Sequence, residues 1–196
     1  MDKIELQNIK NVYNGKYIKM YEMEYLNLDG KSKTYEMASR YNILSENDIL
    51  SNEASGVSLI IFNESYDKIL LLKEFRMATN TTVVNFVSGL IDKNEFPLET
   101  AMRELKEETG LDITRVIGIL PEAYSAIGIT NEKTITIICT AKGNFSQSTS
   151  PNELIETNWY SKDDVKKIIS EYTCASNVCL FSYLWINNFL NLKSLT

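Results

Sequence analysis

Glu104, Glu107 and Glu108 follow Arg103 at offsets that an α-helix gathers onto one side. At about 100° per residue the three carboxylates fall within an arc roughly 100° wide, and Lys106 points away. Like charges at i and i+4 cost about 0.2–0.5 kcal/mol, and more where water is partly excluded. Two chemistries fit this crowding. One is a solvated charged face, with Arg103 and Lys106 as partial partners. The other is a site for a hard divalent cation. Several carboxylate oxygens on a rigid element suit Mg²⁺, with Mn²⁺ as the alternative.

Composition narrows the chemistry further. The chain of 196 residues contains no histidine. Ser-His-Asp and Cys-His nucleophile systems are excluded, as are histidine-ligated zinc sites. Acid–base work must use carboxylates, Lys, Tyr or metal-activated water. A net charge of −6 argues against a general nucleic-acid or anionic-membrane surface, so an anionic substrate needs local arginines or metal. No apolar run approaches the roughly 18 residues of a membrane span. The N-terminal MDKIELQNIK has no signal-peptide core. Cys139, Cys174 and Cys179 form no ligand-spaced cluster, and are expected to be reduced, buried thiols of a cytoplasmic protein.

The acidic residues need a helix to position them. Pro97 suits a first helical position and Gly110 the position just past the end, which predicts a helix over 97–109. Phe96 is a poor cap, so the stop is better marked than the start. Leu98, Ala101, Met102 and Leu105 make the apolar face, with the acidic arc beside it at the core margin. Around this helix the pattern is β-rich. Residues 16–28 and KTYEMAS read as a hairpin on Asp29-Gly30, and residues 45–55 as a connection. VSLIIFN, KILLLKE and TTVVNFVSG read as core strands, followed by 113–120, 133–141 and 156–161. Ser161 with Asp164 three residues on marks a helix start, and an apolar helix over about 176–191 closes the chain. The expectation is an α/β sandwich over 46–196 preceded by a β extension over 1–45.

The stretch from Gly89 to Leu111 contains Gly89, five residues, Glu95, seven residues, then Arg103-Glu104-Leu105-Lys106-Glu107-Glu108-Thr109-Gly110-Leu111. It resembles the Nudix box, G-x5-E-x7-R-E-U-x-E-E-x-G-U with U aliphatic, at all nine specified positions. The resemblance implies a Nudix-type α/β/α sandwich with mixed sheets, the box forming a loop-helix-loop. It also implies that Glu104, Glu107, Glu108 and the main-chain carbonyl of Ser88 hold Mg²⁺ or Mn²⁺, and that Arg103 and Glu95 orient them. The chemistry implied is hydrolysis of a nucleoside diphosphate linked to another group.

Outside the box the chain resembles the ADP-ribose pyrophosphatase branch. TYEMASR is similar to the end of that branch's extra N-terminal β-domain. The match implies that Tyr35 stacks on adenine and Arg40 meets phosphate, across the interface of a homodimer. KILLLKEFR implies a pyrophosphate-binding Arg76, SAIGITNE places Glu132 near metal or substrate, and PNELIET implies that Glu153 acts as the general base, with Glu156 and the box residue Glu107 as alternatives. Plain structural readings stand beside these: an exposed tyrosine-rich strand pair, a strand-end arginine, a surface loop. There are departures from the branch. Asn85 stands where relatives commonly have Glu, Glu74 where Gln is usual, Ile127 where Pro is common, and Ser88 where Ala is usual. The activity implied is Mg²⁺-dependent cleavage of ADP-ribose to AMP and ribose 5-phosphate. The alternatives are GDP-mannose or another nucleoside diphosphate sugar as substrate, or a Nudix-like module that senses a nucleotide without cleaving it.

Overall fold

The computed structural model describes residues 3–150 and 154–190. Its contacts divide the chain into two compact units. One comprises residues up to Ser55 together with Glu122–Thr134, and the other Gly56–Pro121 together with residues from Ile135 onward.

In the first unit three antiparallel strands run in the order β1 (Glu5–Asn14), β2 (Lys19–Leu26), β3 (Ser32–Ser39). The expected hairpin is β2–β3. Its turn is tied by Asn27, whose side-chain oxygen accepts from the N–H groups of Asp29 and Lys31, and Gly30 takes φ +73°. Strand β1 is not legible in the sequence. Its pairing with β2 shifts register between Leu6 and Asn8 and again between Asn11 and Tyr13, and each bulge breaks the two-residue alternation. The connection expected over 45–55 contains a short helix, α1 (Glu46–Leu50), capped by Ser45 and Asp48. Tyr21, Met23, Met37 and Ile43 form the core of this unit.

The second unit carries a sheet in the order β11-β5-β4-β10-β8, with β6 beside β5 and β7 beside β4. The strands are β4 (Gly56–Phe62), β5 (Lys68–Arg76), β6 (Thr81–Asn85), β7 (Val87–Leu90), β8 (Asp112–Ile119), β10 (Lys133–Lys142) and β11 (Ile155–Ser161). The first two residues of β10 belong to the first unit, where they pair with the short β9 (Ala123–Tyr124). Strands β4 and β5 read as nearly unbroken apolar runs because both sheet faces are covered. Val57, Leu59, Ile61, Leu70 and Leu72 pack with Ala101 and Leu105 of α2 (Pro97–Thr109). Ile60, Phe62, Ile69 and Leu71 pack with residues of α3 (Lys162–Glu171) and α4 (Ser176–Ile186). That is a three-layer α/β/α arrangement.

Three expectations are corrected here. TTVVNFVSG is two strands, because at Phe86 the chain leaves its pairing with β5 and takes up pairing with β4. Helix α4 ends at Ile186, before Asn188 adopts φ +61°. Only Cys139 is a fully buried thiol, its pKa pushed up to about 12 by burial. Cys174 is half-buried and Cys179 exposed. Among the described residues no helix is long and apolar enough to cross a membrane.

Candidate active site

Helix α2 has the predicted bounds, and both ends are explained locally. At its start Phe96 offers no side-chain acceptor, and Glu99 instead accepts from the Phe96 N–H at 2.8 Å. At its end Gly110 takes the left-handed conformation, φ +80°. A Cβ there would also meet the Asn144 carbonyl oxygen at 2.8 Å. Leu98, Ala101 and Leu105 face the sheet as expected, but Met102 is 54% exposed. The buried arc runs instead from Thr109 through Leu105 and Ala101 to Glu108 and Thr100.

Arg103 is the hub of the acidic cluster. Its Nε donates to Glu95 Oε1 and its Nη2 to Glu95 Oε2, each at 2.9 Å, a bidentate fork. Its Nη1 donates to Glu104 at 2.8 Å and to Glu107 at 3.3 Å, and its Nη2 also reaches the Leu90 carbonyl at 3.1 Å. One guanidinium therefore organises three carboxylates and the backbone at the end of β7. Glu95 is fixed further by the Thr100 hydroxyl and the Asp92 N–H. The Arg103 guanidinium, helped by Thr100, holds the Glu95 carboxyl down to about 2. Arg103 in turn is raised above its ordinary value, chiefly by Glu95.

Gly89 has a steric reason to be glycine. A Cβ at this position would lie inside the side chain of Glu104, against its Cγ, Cδ and Oε1. Strand β7 thus forms a wall on which the Glu104 carboxylate rests. Val87 packs toward α2, while Ser88 pairs with Ser58, whose hydroxyl is 3.5 Å from the Asn177 amide of α4. The Ser88 side chain is therefore on the sheet face away from α2, which leaves its main chain as the part expected to act.

The donor set is chemically suited to a hard divalent cation. Glu104, Glu107 and Glu108 present only oxygen, on a rigid helix, and Glu108 is buried at 7% exposure. Among the described residues the carboxylates are not drawn in around a common point to form a ready-made metal cluster. Arg103 instead engages two of them.

Beside this helix lies a second polar group. Residues 70, 72, 74 and 76 of β5 share the sheet face that α2 covers. Arg76 Nη1 donates to Glu74 Oε1 at 2.6 Å, and Asn85 Nδ2 donates to Glu74 Oε2 at 3.3 Å. The two departures noted in the sequence, Glu74 and Asn85, are thus bonded to each other. Glu153 lies outside the described residues. Glu156 is exposed in β11, opposite Lys73 and on the sheet face away from α2.

The first unit gathers three of the other candidates. Arg40 Nε donates to Glu132 at 2.5 Å, and the Tyr35 hydroxyl donates to the Gly128 carbonyl at 2.7 Å. Tyr35 lines a largely apolar pocket of about 480 Å³ with Tyr25, Met37, Tyr124 and Asn131. Asn131 is not marked by the sequence. It is only 4% exposed, and neither its side-chain oxygen nor its nitrogen has a hydrogen-bond partner among the described residues. An Asn next to a Glu carries no pattern that would single it out.

Comparison with known proteins agrees with this arrangement. The NUDIX domain model matches residues 53–175. The chain is 26% identical over 159 residues to the ADP-ribose pyrophosphatase of Saccharomyces cerevisiae, covering 79% of this chain and 66% of that protein. It is 28% identical over 123 residues to the ADP-ribose pyrophosphatase of Bacillus subtilis, covering 63% and 58%. The chain thus spans two thirds or less of the length of these two curated relatives. A solved structure described as an ADP compounds hydrolase superposes with a TM-score of 0.74 at 16% identity, covering 98% of this chain and 95% of that one, which is a likeness of fold. With every box position present, Gly89, Glu95, Arg103, Glu104 and Glu107 interlocked across β7, the loop after it and α2, and the family model spanning more than half of the sequence, the chain belongs to the NUDIX domain family.

Proposed function

We propose that the protein hydrolyses the pyrophosphate bond of a nucleoside diphosphate sugar with Mg²⁺ or Mn²⁺, ADP-ribose being the leading substrate and AMP and ribose 5-phosphate the products. The observation that carries the reading is the Glu95–Arg103–Glu104–Glu107 network set against the Gly89 wall. Glu104, Glu107, Glu108 and the Ser88 carbonyl would hold the cation. When bound, the cation supplies charge neutralisation and polarisation of the pyrophosphate oxygens.

The chain's own residues supply the rest. Arg76 keeps one guanidinium edge on Glu74 and is half-exposed, which leaves N–H groups for a phosphate oxygen. Glu95 anchors Arg103, so the carboxylates of α2 are oriented before substrate arrives. A carboxylate must take the proton of the attacking water, and Glu153 is assigned that task. Glu156 suits it less, because it shares a face with Lys73 rather than with α2. In the first unit the pocket beside Tyr35 has an aromatic wall for a base, and Asn131 offers both a donor and an acceptor to a heterocycle edge. Arg40, paired with Glu132, is the second phosphate candidate. The names of the relatives favour ADP-ribose or another ADP-sugar.

The resembled branch implies a homodimer that shares residues between sites, and sedimentation with matched activity assays tests that pairing. A monomer with full turnover would refute it. Substrate is tested by incubating ADP-ribose, NADH, GDP-mannose and diadenosine polyphosphates with and without Mg²⁺. AMP release from ADP-ribose, dependent on the cation, is expected. Preference for GDP-mannose would move the assignment to a guanine sugar nucleotide. Thermal stabilisation by nucleotide with no turnover of any compound would make the protein a sensor.

A further inference from the structure

We propose that Glu74 and Asn85 form a positioning device for Arg76, and that it sets how tightly the site holds a pyrophosphate. The inference rests on the reading of Arg76 as a phosphate-binding residue. Glu74 is a carboxylate at 7% exposure, two residues along β5 from the buried run of Ile and Leu at 69–72. A buried carboxylate needs compensation for both of its oxygens. It has them: Oε1 accepts from Arg76 Nη1 at 2.6 Å and Oε2 from Asn85 Nδ2 at 3.3 Å. Asn85 is itself oriented, because its side-chain oxygen accepts from the Phe86 N–H at 2.9 Å. That bond sits where the chain passes from β6 to β7, the strand that carries Ser88 and Gly89. A chain of three hydrogen bonds therefore runs from the backbone ahead of the box to the guanidinium of Arg76.

The direction of each bond is forced. The Phe86 N–H can only donate, so the Asn85 oxygen must face it and the Asn85 NH₂ must face Glu74. A guanidinium can also only donate. Residue 74 consequently has to accept on both sides, and only a carboxylate does so. Glu74→Gln keeps the shape but places its NH₂ against one of two donors, whichever way the amide turns. The guanidinium then loses its fixed orientation, or Asn85 lets go. The substitution leaves the cluster of α2 intact: neither residue belongs to it, although both are part of the same three-layer unit.

The test is a set of variants measured for KM, kcat and the dissociation constant of inorganic pyrophosphate. Glu74→Gln is expected to raise KM and weaken pyrophosphate about tenfold while kcat stays within about twofold, the loss of one charge-assisted bond at a binding group. Adding Asn85→Asp to Glu74→Gln exchanges amide and carboxylate across β5 and β6 and restores every donor–acceptor match. That double variant is expected to return KM and pyrophosphate affinity to within about twofold of the original. In an Arg76→Ala background, Glu74→Gln is expected to change neither quantity further. A wild-type KM in Glu74→Gln, an effect that persists undiminished without Arg76, or a double variant that recovers melting temperature but not affinity would each overturn the proposal. Because inorganic pyrophosphate carries no base or sugar, the binding arm stands even if the substrate assigned above is wrong. Tight, Arg76-independent binding of pyrophosphate would contradict both.

Discussion

Replacing Gly89 with alanine should separate stability from function in a way that few other changes can. The new Cβ would occupy the volume of the Glu104 Cγ, Cδ and Oε1 atoms, so those atoms have to leave. What moves is the end of a flexible side chain rather than the sheet, so the fold should survive. The displaced carboxylate gives up its 2.8 Å bond from Arg103, while the two bonds from Arg103 to Glu95 remain. Losing one partly exposed charged bond costs about 1 kcal/mol, and imperfect repacking raises the total to about 1–2 kcal/mol. In a chain of this size that lowers Tm by roughly 2–8 °C. The effect on catalysis should be far larger. A carboxylate shifted by about an ångström from a position that holds the cation costs about 10²-fold in kcat. The assay is thermal unfolding together with ADP-ribose turnover across a Mg²⁺ titration. A Gly89→Ala variant with turnover and Mg²⁺ dependence like those of the original would refute the argument that β7 positions Glu104.

Other expectations are equally specific. The Glu95 carboxyl is depressed in the folded protein from near 4.5 to about 2, so its pairing adds stability above pH 4.5 that disappears as pH falls toward 2. Urea unfolding of Glu95→Gln should show a flatter pH dependence within that window, and an unchanged acid limb would contradict the pairing. Gly110→Ala must force φ +80° on a residue with a Cβ aimed at the Asn144 carbonyl, and should cost about 1–3 kcal/mol by chemical denaturation. A loss under about 0.5 kcal/mol would show that the loop yields. Glu153→Gln should lower kcat by about 10²–10⁴-fold with metal affinity kept, and Glu156→Gln much less. The reverse order would move the base to Glu156.

Helix α2 is legible in the sequence almost to the residue, because Pro97 and Gly110 suit its first position and the position just past its end. The sequence cannot show which neighbour balances the charges. Arg103 can be expected to orient the glutamates, yet its fork onto Glu95 depends on the loop of residues 91–96 folding back, a matter of tertiary structure. Strand β1 escapes a reading of the sequence because two bulges erase its alternation. Helix α1 escapes it although Ser45 and Asp48 carry the same capping signal as Ser161 and Asp164, since five residues are too few to show a periodicity. Met102 misleads because a residue's angle on the helix says nothing about where the sheet ends. Glu74 and Asn85 look like two separate departures. Their pairing depends on the β5–β6 register, in which Asn85 lies opposite Leu72, one step along the same face from Glu74.

The central claim is that the acidic face of α2 holds the divalent cation that the chemistry requires. Titration of the protein with Mn²⁺, followed by the electron paramagnetic resonance signal of the free ion, tests it without reference to any substrate. The original protein should bind Mn²⁺ saturably. Glu107→Gln and Glu108→Gln should each weaken that binding at least tenfold while the protein still unfolds cooperatively on heating. Undiminished Mn²⁺ binding in both variants would contradict the account.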